Sequence, residues 1–320
     1  MKILITESRA LENGKPDRWA PFEALGEVAV YDNLEPALLI ERAAGVQAII
    51  LNKMPVRAEH MAQLPDLKYI GVVATGYDPV DVAAARERGI IVTNVPSYAS
   101  RAVSQHCVAL LLALCRQTER YNQSVQAGRW KNWDFYSYWD EGLLELSGMT
   151  YGAIGFGDIG QATARILSAM GMRILAYRRH PVPVQGIEAL TWAKSVEEVF
   201  AKADVVSLHC PLNAATEGIV NANTLRLMKP TAFLLNTARG GLVKETDLAA
   251  ALNEGRIAGA GLDVLPIEPP VGGSPLIGAR NCIVTPHIAW ISQSTLQCLY
   301  DTVLGNLRAF LDGKPVNVVR

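Results

Sequence analysis

Charge of one sign is scarce in this chain of 320 residues: 30 Lys and Arg stand against 31 Asp and Glu, for a formal net charge of −1. With no basic block, nucleic acid and anionic membrane surfaces are poor partners. Cysteine is sparse. Cys107, Cys115, Cys210, Cys282 and Cys298 include no C-x-x-C pair and sit mostly in apolar patterns. Buried free thiols in a reducing compartment explain them better than disulfides or zinc. Long apolar runs are missing, since the longest, residues 107–115, is too short to span a bilayer. No two of the five histidines have metal-ligand spacing, so no metal is expected. The opening Met1-Lys2-Ile3-Leu4-Ile5-Thr6 reads as a strand at once, without a signal or transit pattern, and the expected location is the cytoplasm.

What is present is an ordinary globular composition, 50% hydrophobic and 19% charged, over a length comfortable for two domains. Near the middle, a short apolar run over 149–154 breaks into Gly155-Phe156-Gly157-Asp158-Ile159-Gly160, which fits G-x-G-x-x-G. A helical pattern follows, with Ile159, Ala162, Ile166 and Ala169 at three- and four-residue spacing. Strand, glycine turn and helix in that order are the context of a dinucleotide site. The first glycine permits the tight turn, the second lets backbone approach a pyrophosphate, and the third packs helix on strand. Free N–H groups and the helix dipole then face the phosphates.

Around this motif the chain alternates. Strands are expected over 2–6, 28–31, 48–51, 69–73 and 90–94, with helices over 36–44, 58–64 and 80–87. A long helix is expected over 100–121, apolar enough to be buried. Beyond the glycine motif, strands fall over 150–155, 173–177, 205–209, 232–236, 260–264 and 283–285. Helices fall over 159–170, 195–201, 222–228, 245–253 and 292–311. The fold class is therefore α/β, with two doubly wound parallel-sheet domains. The last helix is long enough to return to the first domain. Residues 1–100 and 291–320 would form a discontinuous, flavodoxin-like domain, and residues 101–290 a dinucleotide-binding Rossmann domain.

Six Phe, Trp and Tyr residues crowd the ten positions 130–139, with neither helical nor strand periodicity. Exposed on a monomer they would form too large an apolar surface, and such side chains are typical interface anchors. A homodimer contact is expected, with a loop folded onto its own domain as the alternative.

These motifs, in order and at their spacing, resemble the D-isomer-specific 2-hydroxyacid dehydrogenases over nearly the whole chain. The matching segments are 74–78 (ATGYD), the glycine motif, His209-Cys210-Pro211-Leu212, Asn236-Thr237-Ala238-Arg239-Gly240-Gly241, Leu262-Asp263-Val264, Glu268-Pro269 and Thr285-Pro286-His287-Ile288-Ala289-Trp290. Within the family, the last segment and Asn94-Val95-Pro96 look most like glycerate dehydrogenases and hydroxypyruvate or glyoxylate reductases. The resemblance implies hydride transfer between a nicotinamide cofactor and a small 2-oxo or 2-hydroxy acid.

Reducing a 2-oxo acid requires a cation on the carboxylate and carbonyl, an acid for the developing alkoxide, and a nicotinamide against the carbonyl carbon. By resemblance the cation is Arg239, whose planar guanidinium suits a carboxylate. The acid is His287, since imidazole serves both reaction directions near neutrality. Glu268 is its implied partner, and a carboxylate beside an imidazole orients it and favours the protonated form. Thr75 and Gly76 would offer backbone N–H groups to the substrate, and Trp290 would wall its pocket. Thr237, Ala238 and the His209-Cys210-Pro211 backbone would line the cofactor site, and Asp263 would meet the nicotinamide carboxamide. His106 reads as a satisfied residue of the buried helix.

NAD enzymes carry an acid at the end of the second strand for the ribose 2′-hydroxyl. Here that strand runs into Arg178-Arg179-His180. Guanidinium groups pair with a 2′-phosphate, so NADP(H) is expected over NAD(H), with NAD(H) use as the alternative. Branched or aromatic 2-oxo acids and phosphite stay open as substrates, as does a nucleotide-sensing, corepressor-like binding protein. Trp133 or Trp139 could reach a partner subunit's site.

Overall fold

Short aliphatic runs become strands because both faces of a parallel sheet are covered and want apolar side chains. In the computed structural model, which describes residues 1–12, 16–140 and 142–319, twelve strands form two parallel sheets. The first five are β1 (Lys2–Ile5), β2 (Glu27–Val30), β3 (Ala48–Leu51), β4 (Tyr69–Val72) and β5 (Ile91–Thr93). They lie in the order β2-β1-β3-β4-β5, the flavodoxin-like order. The other seven are β6 (Thr150–Ile154), β7 (Arg173–Tyr177), β8 (Leu190–Trp192), β9 (Val205–Leu208), β10 (Phe233–Asn236), β11 (Gly259–Leu262) and β12 (Cys282–Val284). Their order is β12-β11-β10-β9-β6-β7-β8, which reverses direction between β6 and β9. Such a reversal is where open α/β sheets bind ligands, beyond the carboxyl ends of the strands.

The chain divides into two compact units, Met1–Tyr98 with Ile291–Arg320, and Ala99–Trp290. In the first, the helix Gln293–Leu311 returns from the far end of the sequence. Tyr300 meets Trp19 and Phe22 edge-on, Phe310 lies against Tyr69, and Asn306 donates to the Asn94 carbonyl at 2.9 Å. In the second, β9 and β10 are buried along their whole length. The helix Ser100–Arg116 buries Cys107, Leu110, Leu111 and Leu114 within that unit's core.

Three elements differ from the sequence-based expectation. The helix over 100–121 is two helices, Ser100–Arg116 and Thr118–Gln126, with Gln117 between them at φ 50. The buried stripe ends at Cys115 and the second helix buries nothing, so no apolar face carries the first axis onward. The helix over 36–44 starts as a 3-10 turn, Pro36–Leu38, and becomes α-helical only at Leu39–Arg42. Strand β8 has three residues and a half-exposed pattern, too short for periodicity to reveal. No helix among the described residues is long and apolar enough to cross a membrane.

Candidate active site

Parallel register sets the site. Ile154 pairs with Tyr177 and Leu208, Asn236 with Leu208 and Leu262, and Leu262 with Val284. The next residue of each strand therefore falls on one line along the sheet's carboxyl edge: Arg178, Gly155, His209, Thr237, Asp263 and Thr285. Neighbours on that line are about 4.8 Å apart. Arg239 and His287 lie two residues beyond it on their strands.

The glycine turn occupies the reversal between β6 and β9. Gly155 has φ 88, and a Cβ there would fall 2.6 Å from the His209 carbonyl and the Cys210 nitrogen. A Cβ on Gly160 would fall 2.7 Å from the Gly155 carbonyl oxygen, so the helix Asp158–Ala169 starts tight against the turn. A Cβ on Gly157 would meet nothing within 4 Å. That open face, at the first turn of a twelve-residue helix, fits a pyrophosphate. Beside it, Thr237 carries a buried hydroxyl with no hydrogen-bond partner among the described residues. Arg178 is half-buried and Arg179 exposed, and no carboxylate takes the place of either at the end of β7. Asp158 is exposed, Ile159 half-buried, and Pro211 exposed beyond the partly buried Cys210.

Behind the turn lies a polar network. His209 Nε2 is 2.7 Å from the Tyr151 hydroxyl and 3.0 Å from Ser207 Oγ, and both partners are fully buried. Burial pulls the His209 imidazole down to about 4, so the ring is neutral at ordinary pH. The same burial pushes the Tyr151 phenol well above its ordinary range.

The catalytic candidates are assembled by backbone contacts. Buried Asn236 closes the turn before Arg239, accepting from the Ala238 N–H at 3.0 Å and donating to the Arg239 carbonyl at 2.9 Å. Gly240 then packs onto the backbone of Leu265 and Pro266. The Leu265 N–H donates to Glu268 Oε1 at 3.0 Å, and Glu268 Oε2 lies 2.6 Å from His287 Nδ1. His287 sits at φ 55, in the left-handed region, with its N–H donating to the Asp263 carbonyl at 2.9 Å. Both members of the pair keep about 30% of their side-chain surface exposed (28% for His287, 31% for Glu268), enough for a substrate to reach the ring.

Asp263 is 1% exposed, and its oxygens accept from Thr285 Oγ1 and from the N–H groups of Ile288 and Ala289. The structure thus places the carboxylate expected at the nicotinamide inside the loop that carries His287. Trp290, half-buried, ends the same loop. In the other unit, exposed Thr75 donates its hydroxyl to the Val95 carbonyl at 2.8 Å, and the Asn94 amide donates to the Thr75 carbonyl at 2.7 Å. Among the described residues, neither Thr75 N–H nor Gly76 N–H donates to another backbone or side-chain group. Sequence reasoning missed Glu7, whose carboxylate accepts from the N–H groups of Asn52, Lys53 and Met54 and shapes that loop. An acid next to a strand carries no spacing signal for such a role.

Residues 108–289 match the NAD binding domain of the D-isomer specific 2-hydroxyacid dehydrogenases. The chain belongs to that family. The seven-stranded unit is its NAD(P)(H)-binding domain, and the chain is an oxidoreductase of this kind. Among its relatives, hydroxypyruvate reductase of Blautia hydrogenotrophica is 42% identical over 322 positions, covering 100% of this chain and 99% of that protein. Glycerate dehydrogenase of Methylorubrum extorquens is 43% identical over 89% of this chain and 88% of that one. One solved structure, the NADPH-dependent glyoxylate/hydroxypyruvate reductase of Sinorhizobium meliloti with NADP and malonate, superposes with a TM-score of 0.85. It is 32% identical and covers 99% of this chain and 96% of that one.

Proposed function

We propose that the chain reduces hydroxypyruvate or glyoxylate to the D-2-hydroxy acid and prefers NADPH. The observation that carries the reading is the 2.6 Å contact between His287 Nδ1 and Glu268 Oε2. It fixes one ring nitrogen on a carboxylate and makes Nε2 the nitrogen that exchanges a proton with substrate. Relatives named hydroxypyruvate reductase and glyoxylate reductase support the substrate class.

The nicotinamide, when bound, supplies the hydride for the carbonyl carbon. Everything else belongs to the chain's own residues. Arg239 binds the substrate carboxylate and polarises the carbonyl oxygen with a planar guanidinium. His287 Nε2 delivers the proton to the oxygen as negative charge develops there, and Glu268 holds the ring in place through Nδ1. Trp290, at the end of the His287 loop, walls the pocket. Gly155, Gly157, Asp158, Ile159 and Gly160 hold the pyrophosphate. Arg178 and Arg179 pair with the 2′-phosphate, and Thr237, Ala238 and the 209–211 backbone line the site.

The working molecule is a homodimer in the cytoplasm, joined through the aromatic stretch 130–139. Trp130, Trp133, Phe135, Tyr136 and Trp139 are all exposed there, an apolar patch that a second copy would cover. Initial rates of NADPH and NADH oxidation with glyoxylate, hydroxypyruvate, pyruvate and branched 2-oxo acids test the reading. Highest efficiency with hydroxypyruvate or glyoxylate and NADPH is expected. No turnover on any acid would overturn it.

A further inference from the structure

His106 lies on the helix Ser100–Arg116, far in sequence from the catalytic loop, yet its Nε2 is 3.0 Å from Thr285 Oγ1 and 3.5 Å from Asp263 Oδ1. The donors and acceptors there can be counted. Asp263 is almost completely buried, and a buried carboxylate needs every hydrogen bond it can accept. The Thr285 hydroxyl is 2.6 Å from Asp263 Oδ1 and has one proton, which goes to the carboxylate. Thr285 Oγ1 can then only accept from His106, so His106 carries its proton on Nε2.

The carboxylate in turn grips the loop on the far side. It accepts from the Ile288 N–H at 3.0 Å and the Ala289 N–H at 2.8 Å, while the Asp263 carbonyl accepts from the His287 N–H at 2.9 Å. These bonds surround His287, whose φ of 55 is a conformation that a residue with a side chain adopts only under constraint. Donors thus run from His106 through Thr285 to Asp263, which accepts on its other side from the 287–289 backbone and so bounds the left-handed turn that faces His287 toward Glu268.

We infer that His106 is a positioning residue for the general acid–base His287, acting through the Thr285 hydroxyl and the Asp263 carboxylate. The inference rests on the role proposed for His287. It requires His106 to donate from Nε2; any side chain able to donate from that place should serve, and an apolar one should not.

Four variants test it: His106→Leu, His106→Gln, Thr285→Val and the His106→Leu/Thr285→Val double. His106→Leu should lower kcat about tenfold or more with KM for NADPH little changed, the size of loss that follows from misplacing a catalytic group by a fraction of an ångström. His106→Gln, with an amide N–H near the Nε2 position, should recover most of the rate. Thr285→Val should cost as much as His106→Leu, and the double should be no worse than either, because all three break one chain. Losses that multiply in the double, or a His106→Leu enzyme with the wild-type kcat, would overturn the inference. Amide hydrogen exchange at Ile288 and Ala289 gives a readout that needs no turnover. Faster exchange in His106→Leu, restored in His106→Gln, supports the inference, and identical exchange in all variants overturns it. A wild-type enzyme that reduces no 2-oxo acid overturns the proposed function instead, and leaves the exchange measurement to decide on His106.

Discussion

Gly240 and Leu265 touch backbone to backbone: a Cβ on Gly240 would fall 1.9 Å from the Leu265 carbonyl carbon. That contact brings the turn bearing Arg239 against the segment bearing Glu268. Gly240→Ala must push the two apart, because backbone cannot swing aside. A cost of about 1–3 kcal/mol in stability is expected, with a further drop of at least roughly tenfold in kcat/KM. Gly241→Ala is the control. Its Cβ would meet only Leu212 Cδ2 at 2.9 Å, the tip of a side chain that can rotate away. Urea unfolding and steady-state kinetics on both variants separate the cases, and equal effects would refute the role given to the Gly240 contact.

The Glu268–His287 pair makes a second prediction. His287→Gln should lower kcat by about 10²–10⁴, the usual worth of a general acid, while NADPH binding stays within about twofold. Glu268→Gln keeps a hydrogen-bond acceptor near Nδ1 but removes the charge from that 2.6 Å contact. It should lower kcat by about tenfold with NADPH binding little changed, because the ring loses its charge-assisted partner and part of its fixed orientation. Steady-state kinetics on both variants check this. A Glu268→Gln enzyme with the wild-type kcat would remove Glu268 from the mechanism.

Much of the architecture was legible because its signals are local. Runs such as Val205–Leu208 and Phe233–Asn236 are continuously apolar, and the glycine motif interrupts such a pattern where a strand meets a helix. The failures were local too. Gln117 ends a helix with no proline or glycine to mark the break, and Leu190–Trp192 is too brief to show a period. The site is another matter. Glu268 and His287 are 19 residues apart, and nothing in that spacing announces a hydrogen bond; only the family resemblance suggested a pair. The hydrogen bonds of Asp263 were not legible either: its oxygens accept from Thr285, Ile288 and Ala289, 22 to 26 residues away, partners that only the fold brings near. Glu7 gave no signal at all, because what it holds, residues 52–54, is 45 residues and one strand away.

Arg178 continues β7 directly beyond Tyr177, whose carbonyl accepts from the Gly155 N–H at 3.0 Å. The backbone that carries Arg178 is thus tied to the glycine turn, at the strand end where an NAD enzyme carries its acid. Arg178→Asp should lower kcat/KM with NADPH by about 10–100-fold, the worth of charge-assisted hydrogen bonds to a phosphate. NADH should lose little or gain. The ratio of the two efficiencies is the measurement, and an unchanged ratio would assign the cofactor choice elsewhere.

Tyr136 and Trp139 are 77% and 70% exposed, the two most open rings of the aromatic stretch. The stretch is nonetheless ordered from beneath. Arg129 bridges Asp140 through two bonds of 3.1 Å and lies over the rings of Trp133 and Tyr138. A rigid base under exposed aromatics is how interface anchors are presented. Tyr136→Ser/Trp139→Ser should weaken self-association by roughly 30-fold or more, as expected for losing about 2 kcal/mol at a hot spot. Sedimentation velocity across a concentration series reads it. A wild-type chain that stays monomeric at high concentration ends the proposal.

The buried His209 gives a stability prediction with a definite pH window. In the folded protein its imidazole takes a proton only near pH 4, while in the unfolded chain it does so near 6.5. Between those values the unfolded state binds more protons, so this histidine makes stability fall as pH drops from about 6.5 to about 4. Above the window neither state is protonated and below it both are, so its contribution is flat on either side. His209→Gln keeps a polar partner for the Tyr151 hydroxyl but cannot titrate. The variant should lose some stability at pH 7 from poorer packing and then lose less than the wild type on acidification. The gap between the two unfolding curves should therefore narrow, and can reverse, as pH falls through the window. Carboxylates titrate in the same range in both proteins, which is why the difference between the curves is the quantity to follow. A gap that stays constant from pH 7 to pH 4 would mean that His209 is protonated as easily folded as unfolded, and that the network behind the glycine turn is open to water.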